Sequence, residues 1–189
     1  MGSGNVHETL ETLAADLESA GIDYAIVGAV ALNAYGYRRE TVDVDVLVRP
    51  EGLEAFRDIY IGRGYVPAFP NARKTFRNTR TGTQVEFLTA GEYPGDGKPK
   101  PVVFPDPAAV AQDVQGAKVV NLPTLVNLKL ASGMTLPSRR RDLADIQDLI
   151  RVLRLNASFA DALNPFVRDM YLTLLDELRS GDPHAERGA

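Results

Sequence analysis

Cysteine is absent from the 189 residues, which removes disulfides, thiolate zinc sites and cysteine nucleophiles together. A reducing cytoplasm fits that absence, although many exported proteins also lack cysteine. Long apolar runs are missing too. No stretch approaches the roughly 20 residues needed to cross a bilayer, so no membrane association is expected. Glu8, Glu11, Asp16 and Glu18 break the first apolar stretch, which excludes a signal peptide there. Histidine is scarce, with His7 and His184 in the terminal regions, and no serine–histidine constellation can be drawn. An excess of positive charge is also lacking. The net charge of −4 argues against bulk coating of nucleic acid. It leaves room only for a local basic groove, for which Arg38, Arg39, Arg73, Lys74, Arg77 and Arg80 are the candidates.

What is present is ordinary for one compact domain with a small helical appendage: 44% apolar and 24% charged residues. The first residues, Met1-Gly2-Ser3-Gly4, read as a disordered start. Val6, Leu10, Leu13, Ala14 and Leu17 recur at helical spacing, and Gly21 stands where a helix closes in a left-handed turn. Residues 24–27 read as a first strand, 28–35 as a helix closed by Gly36, and 42–48 as a strand with one polar face. A helix over 53–61 follows, then strands over 65–69, 74–78 and 84–88, the last two joined through 79–82. Residues 91–107 hold too many prolines and glycines for any regular element, and a long loop is expected. A short strand over 119–122 precedes three helices: one from Pro123 to a stop at Gly133, one over 139–154, and one opened by Asn164 and Pro165. The tail from Gly181 is expected to be disordered. The order is a mixed sheet first and a helical cap second.

Val42-Asp43-Val44-Asp45-Val46 is the most informative stretch. Strand residues two apart share a face, with Cα atoms roughly 6–7 Å apart. Two carboxylates so placed repel unless a cation lies between them, and Mg²⁺, a hard ion held by one or two carboxylates plus phosphates, suits that position. The plainer alternative is a solvated edge strand. Three neighbours weigh against it. Ile26-Val27-Gly28-Ala29 takes a strand into a helix through a glycine, a junction that can offer N–H groups to phosphate. Glu86 is a single carboxylate in the apolar run Val85-Glu86-Phe87-Leu88. Arg39-Glu40-Thr41, just before the acidic strand, places a guanidinium within reach of a triphosphate. Two other features carry little. Gly95-Asp96-Gly97-Lys98 is no phosphate-binding loop, since its glycine spacing is wrong and Pro99 replaces the ion-binding hydroxyl. Asp142, Asp145 and Asp148 share a helix with Arg139, Arg140 and Arg141, and i,i+4 pairing such as Arg141 with Asp145 is the default.

An apolar residue, glycine and a small residue, then Asp-x-Asp, then a later strand carboxylate, is a pattern that resembles the nucleotidyltransferase superfamily. The stretch from Tyr24 to Asp45 is especially similar to minimal bacterial nucleotidyltransferases, including nucleotidyltransferase-type toxins of toxin–antitoxin and abortive-infection systems. Leu125 to Gly133, and Arg141-Asp142-Leu143-Ala144-Asp145-Ile146, resemble them as well. The resemblance implies an α+β fold, a nucleotidyltransferase-like mixed β-sheet flanked by helices with a C-terminal helical cap. It implies a catalytic core over 5–120, a helical subdomain packed on it over 121–180, and a tail over 181–189.

By the same resemblance, Asp43, Asp45 and Glu86 are the catalytic and metal-holding residues for Mg²⁺, with two ions accommodated and Mn²⁺ as a substitute. Gly28, Ala29, Arg39, Thr41, Lys74 and Lys129 are the nucleotide-binding candidates, Lys129 because it interrupts an apolar helix face. The partners implied are an NTP and a hydroxyl acceptor, which the residues leave open among a tRNA end, a protein and a small molecule. An antitoxin partner is a further implication. Ala29 departs from the family's usual second glycine or serine and removes a hydroxyl from the phosphate site. A module that retains the fold without turnover is therefore the alternative to an enzyme, and an oligomeric partner protein is a third reading.

Overall fold

The computed structural model describes residues 2–180, so the tail from Gly181, with His184, lies outside the described residues. The first helix, α1 (Gly2–Ser19), buries Val6, Leu13 and Leu17 of the stripe its periodicity marks, together with Thr9, while Leu10 and Ala14 are half-buried. Its backbone takes in residues 2–4, so the expected disordered start is instead the first turn. Strand β1 (Tyr24–Ile26) runs into α2 (Gly28–Ala34). Strand β2 (Asp43–Val48) carries the two aspartates. It leads into α3 (Pro50–Tyr60), which begins earlier than the apolar pattern indicated because Pro50 is preset for a first helical turn.

Strands β3 (Tyr65–Pro67), β4 (Thr75–Asn78) and β5 (Gln84–Thr89) follow as a meander. One short α-helix and one strand went unanticipated: α4 (Pro107–Val110), which starts at the last residue of the proline-rich stretch, and β6 (Ala111–Val114). The latter pairs with β7 (Ala117–Val120) through a two-residue turn in which Gln115 and Gly116 both have positive φ, 55° and 81°. That is the twist a tight hairpin needs, and the unusual glutamine in it hid the signal.

The seven strands form one mixed sheet in the order β3-β4-β5-β2-β1-β7-β6, with β2–β5 and β1–β7 parallel and the other pairs antiparallel. One face carries Val44, Val46, Val85, Phe87 and Phe76, all buried. Phe56 of α3 packs there, its ring 4.6 Å from Phe87, 5.0 Å from Tyr65 and 5.9 Å from Phe76. Helix α1 joins the same layer through Asp16, whose carbonyl accepts from Tyr60 Oη at 2.6 Å and whose carboxylate accepts from Tyr65 Oη at 3.0 Å. Strand alternation sends the intervening residues to the other face.

The chain divides into two compact units. The first comprises the sheet with α1 to α4, that is, the residues up to Glu92 and Phe104–Asn121. The second comprises Tyr93–Val103 and the segment from Leu122. Within the second, α5 (Leu122–Thr135) runs straight through Gly133 instead of stopping there. A Cβ on Gly133 would lie 2.7 Å from Leu143 Cγ, so the glycine allows α6 (Arg141–Leu153) to approach closely. Arg139, expected to begin that helix, instead closes a separate 3-10 turn over Pro137–Arg139. The last helix is α7 (Pro165–Ser180), with the Asn164 side chain accepting from Phe166 N–H at its start.

Candidate active site on the carboxylate face

Strand register fixes which side chains stand together. Asp45 is the Cα partner of Glu86, and Glu86 of Thr75. Asp43 is the partner of Gln84, Gln84 of Arg77, and Arg77 of Val66. Opposed residues on paired strands share a face, so two transverse rows lie on the face opposite the valines: Asp45–Glu86–Thr75 and Asp43–Gln84–Arg77–Val66. Asp43 and Asp45 are half-buried and Glu86 is exposed. The three expected carboxylates thus lie on one face of two adjacent parallel strands.

Local chemistry orients the aspartates. The Thr41 hydroxyl donates to Asp43 Oδ1 at 2.6 Å, and the Asp43 N–H points back to Thr41 Oγ1 at 3.4 Å. Thr41 therefore acts on the site through Asp43. Asp45 is fixed by Gly28. That glycine has φ +62°, a conformation costly for any residue with a Cβ. A Cβ there would sit 1.9 Å from Asp45 Oδ2 and 2.8 Å from its Cγ. Both demands favour glycine, which leaves room at the strand–helix junction for the Asp45 carboxylate. The Val27 N–H, donating to the Asp45 carbonyl at 3.0 Å, locks the junction to β2.

Helix α2 is only seven residues long, which leaves it little macrodipole. Its first N–H groups, on Gly28, Ala29 and Val30, have no intrahelical acceptor, and the Ala29 side chain is buried.

The remaining candidates differ in their placement. Arg39 is held by its backbone, with its N–H donating to Asn33 Oδ1 at 2.6 Å and its carbonyl accepting from Asn33 Nδ2 at 2.9 Å. It lines a cleft of about 830 Å³ with His7, Val30, Thr41 and Val42, the last two directly preceding Asp43 in the chain. Lys74 stands opposite Phe87, so alternation turns it to the valine face. Its ammonium donates to Thr89 Oγ1 at 2.7 Å and pairs with Glu92. Burial pushes the Glu92 carboxyl up, but hydrogen bonds from Lys74 and Thr89 more than offset this and hold it below the usual range. The phosphate role expected for Lys74 is corrected accordingly. Arg80 of the supposed basic groove is drawn to Glu8 at 2.9 Å on α1.

Lys129, in the second unit, requires the plainest correction. It does not escape to solvent. It is 6% exposed and donates to Asp142 at 2.7 Å and Asp145 at 2.8 Å. Arg139 adds a bond to the other oxygen of Asp142 at 2.9 Å. The expected Arg141–Asp145 pair is replaced by this buried cluster, whose partners lie 13 and 16 residues apart in the chain. Burial pushes the Asp142 carboxyl up, and Lys129 and Arg139 more than offset that, holding it below the ordinary carboxylate range.

Among the described residues no three His, Cys, Asp or Glu side chains gather as a metal-holding group, so the two-ion, three-carboxylate centre is not assembled by the side chains as they stand. Two same-face aspartates, one of them given space by Gly28, do suit a single hard cation, because Mg²⁺ takes one or two carboxylates and completes its shell with phosphate and water.

Structural comparison bears on the fold. An antigenic nucleotidyltransferase-like protein of Paracoccidioides brasiliensis superposes with a TM-score of 0.55 at 16% identity, over 97% of this chain and 91% of that one. The antibiotic-resistance factor ANT(2″)-Ia superposes with a TM-score of 0.57 at 13% identity, over 95% of this chain and 100% of that one. This is a nucleotidyltransferase-like fold. No protein-family model and no curated protein sequence matches the chain. Within the nucleotidyltransferase-like fold described here, no helix among the described residues is long and apolar enough to cross a membrane.

Proposed function

We propose that this chain is a metal-dependent nucleotidyltransferase, moving a nucleoside monophosphate from an NTP to a hydroxyl acceptor at the Asp43–Asp45 face. The carrying observation is Gly28: positive φ and a carboxylate 1.9 Å from where its Cβ would be make the junction specific to Asp45. Asp43 and Asp45 would hold Mg²⁺, which when bound neutralises triphosphate charge and orients the phosphorus under attack. Asp43 is oriented by Thr41, and Asp45 by Gly28. Glu86, exposed in the Asp45 row, would accept the acceptor's hydroxyl proton. The N–H groups of Gly28 and Ala29 are the donors available to phosphate oxygens. Little covalent work falls to the protein, so positioning and charge neutralisation supply the rate.

A second reading, a nucleotide-binding or regulatory module without turnover, is favoured by Ala29, which offers no hydroxyl, and by the lack of a gathered three-carboxylate group among the described residues. The two readings are separated by incubating the protein with each α-labelled NTP, Mg²⁺ and cell extract. Label transfer that falls about 10³-fold in Asp43→Ala and Asp45→Ala, with folding intact, supports the enzyme. Nucleotide binding with no transfer supports the module. Absence of both from the native chain defeats both.

A further inference from the structure

Between Asp58 and Glu86 the chain holds no acidic residue, yet Arg63, Arg73, Lys74, Arg77 and Arg80 all fall there, in a protein of net charge −4. That segment folds as β3, β4 and the approach to β5, the outer edge of the sheet beside Glu86. Two of the five cations are engaged internally, Lys74 with Glu92 and Arg80 with Glu8. Arg63, Arg73 and Arg77 are exposed, and no ion pair with a described residue engages them.

Register places Arg77 on the carboxylate face in the row of Asp43, with Gln84 between them. At strand spacing its Cα is about 10 Å from that of Asp43, within reach of a molecule lying across both. Arg73 sits in the connection from β3 to β4, closed by Ala68 N–H to Thr75 O at 3.0 Å. The same connection carries Phe69, which is 57% exposed, and Val66 in the Arg77 row is 40% exposed.

Arginine forks match phosphate geometry, and an exposed ring among them offers a stacking surface for an unpaired base. Arg73 and Arg77 with one ring make a short footprint, suited to a strand end, while the acidic remainder of the surface disfavours wrapping a duplex. A polycationic acceptor would meet like charge.

We propose that the β3–β4 hairpin binds the single-stranded end of a polynucleotide and presents its terminal hydroxyl to the Asp43–Asp45 face. Strand binding stands alone, while the term acceptor rests on the transferase reading. In that transfer the hydroxyl oxygen bonds to the α-phosphorus, the bond from α-phosphorus to the bridging oxygen breaks, pyrophosphate leaves and the hydroxyl proton passes to Glu86 or water.

The test is fluorescence anisotropy of a labelled single-stranded RNA of about 12 nucleotides, titrated with the full chain at rising salt and without NTP. Two phosphate contacts predict a log–log salt slope of magnitude about 1.4, at about 0.7 per contact. Arg73→Ala/Arg77→Ala should weaken binding at least about 10-fold and bring the slope near zero, with labelled-NTP binding unchanged. Phe69→Ala should weaken it about 5-fold with the slope retained. No binding by the native chain, equal binding by the double variant, or competition by polyglutamate as strong as by RNA would overturn the proposal. RNA binding by a native chain that binds no NTP would sink the transferase reading and leave the hairpin assignment standing.

Discussion

Two groups of acidic residues in this protein meet opposite fates. In the second unit, Asp142 and Asp145 are buried at 4% and 2% exposure and share one ammonium, from Lys129, at 2.7 and 2.8 Å. In the first, Asp43 receives a neutral hydroxyl from Thr41 while remaining half-buried, and Asp45 lies in a space that only a glycine leaves open. Charge removed from water must be matched within the protein, and the helical cluster does so. Asp43 and Asp45, half-buried on a rigid strand with a glycine beside one of them, keep part of their surface open to solvent.

Substitution tests that contrast. The largest expected change in stability is from Lys129→Met, which leaves two buried carboxylates without their shared ammonium and should cost about 3–5 kcal/mol, read as a lower denaturant midpoint at unchanged slope. Should that variant unfold like the native chain, the cluster is not the structural device described. Gly28→Ala should cost about 2 kcal/mol, from the positive φ and the displaced Asp45 carboxylate. It should also abolish any label transfer, so a variant that keeps native transfer would show the junction is not built around Asp45.

The smallest effect is in pH. The Asp142 carboxyl is lowered in the folded chain, so its contribution to stability is full above about pH 4, the unfolded value, and is lost as pH falls through the lowered folded value. Asp142→Asn should flatten the fall in stability below pH 4. A native chain with no such fall would break the assignment.

The carboxylate face was readable because strand alternation is local: Val44 and Val46 interleaved with Asp43 and Asp45 state their own geometry. Glu86 was readable as a lone charge among Val85, Phe87 and Leu88. Lys74 was misjudged because its face depends on pairing with β5, and a shift of one residue in register inverts every side chain on a strand. The β6–β7 hairpin was missed because its turn uses Gln115 where asparagine or aspartate is the usual signal. Gly133 read as a helix stop, since nothing local shows that Leu143 would come to rest against it.

By itself the chain's order of residues determined the periodic elements, the acidic strand and the glycine before α2, because each is written in neighbours a few positions apart. Only tertiary structure decided that Lys129 would be spent on Asp142 and Asp145, that Lys74 would turn to the valine face, and that Arg77 would share a row with Asp43. Those outcomes depend on which distant segments lie side by side, and the competition among charges for partners is resolved only once they do.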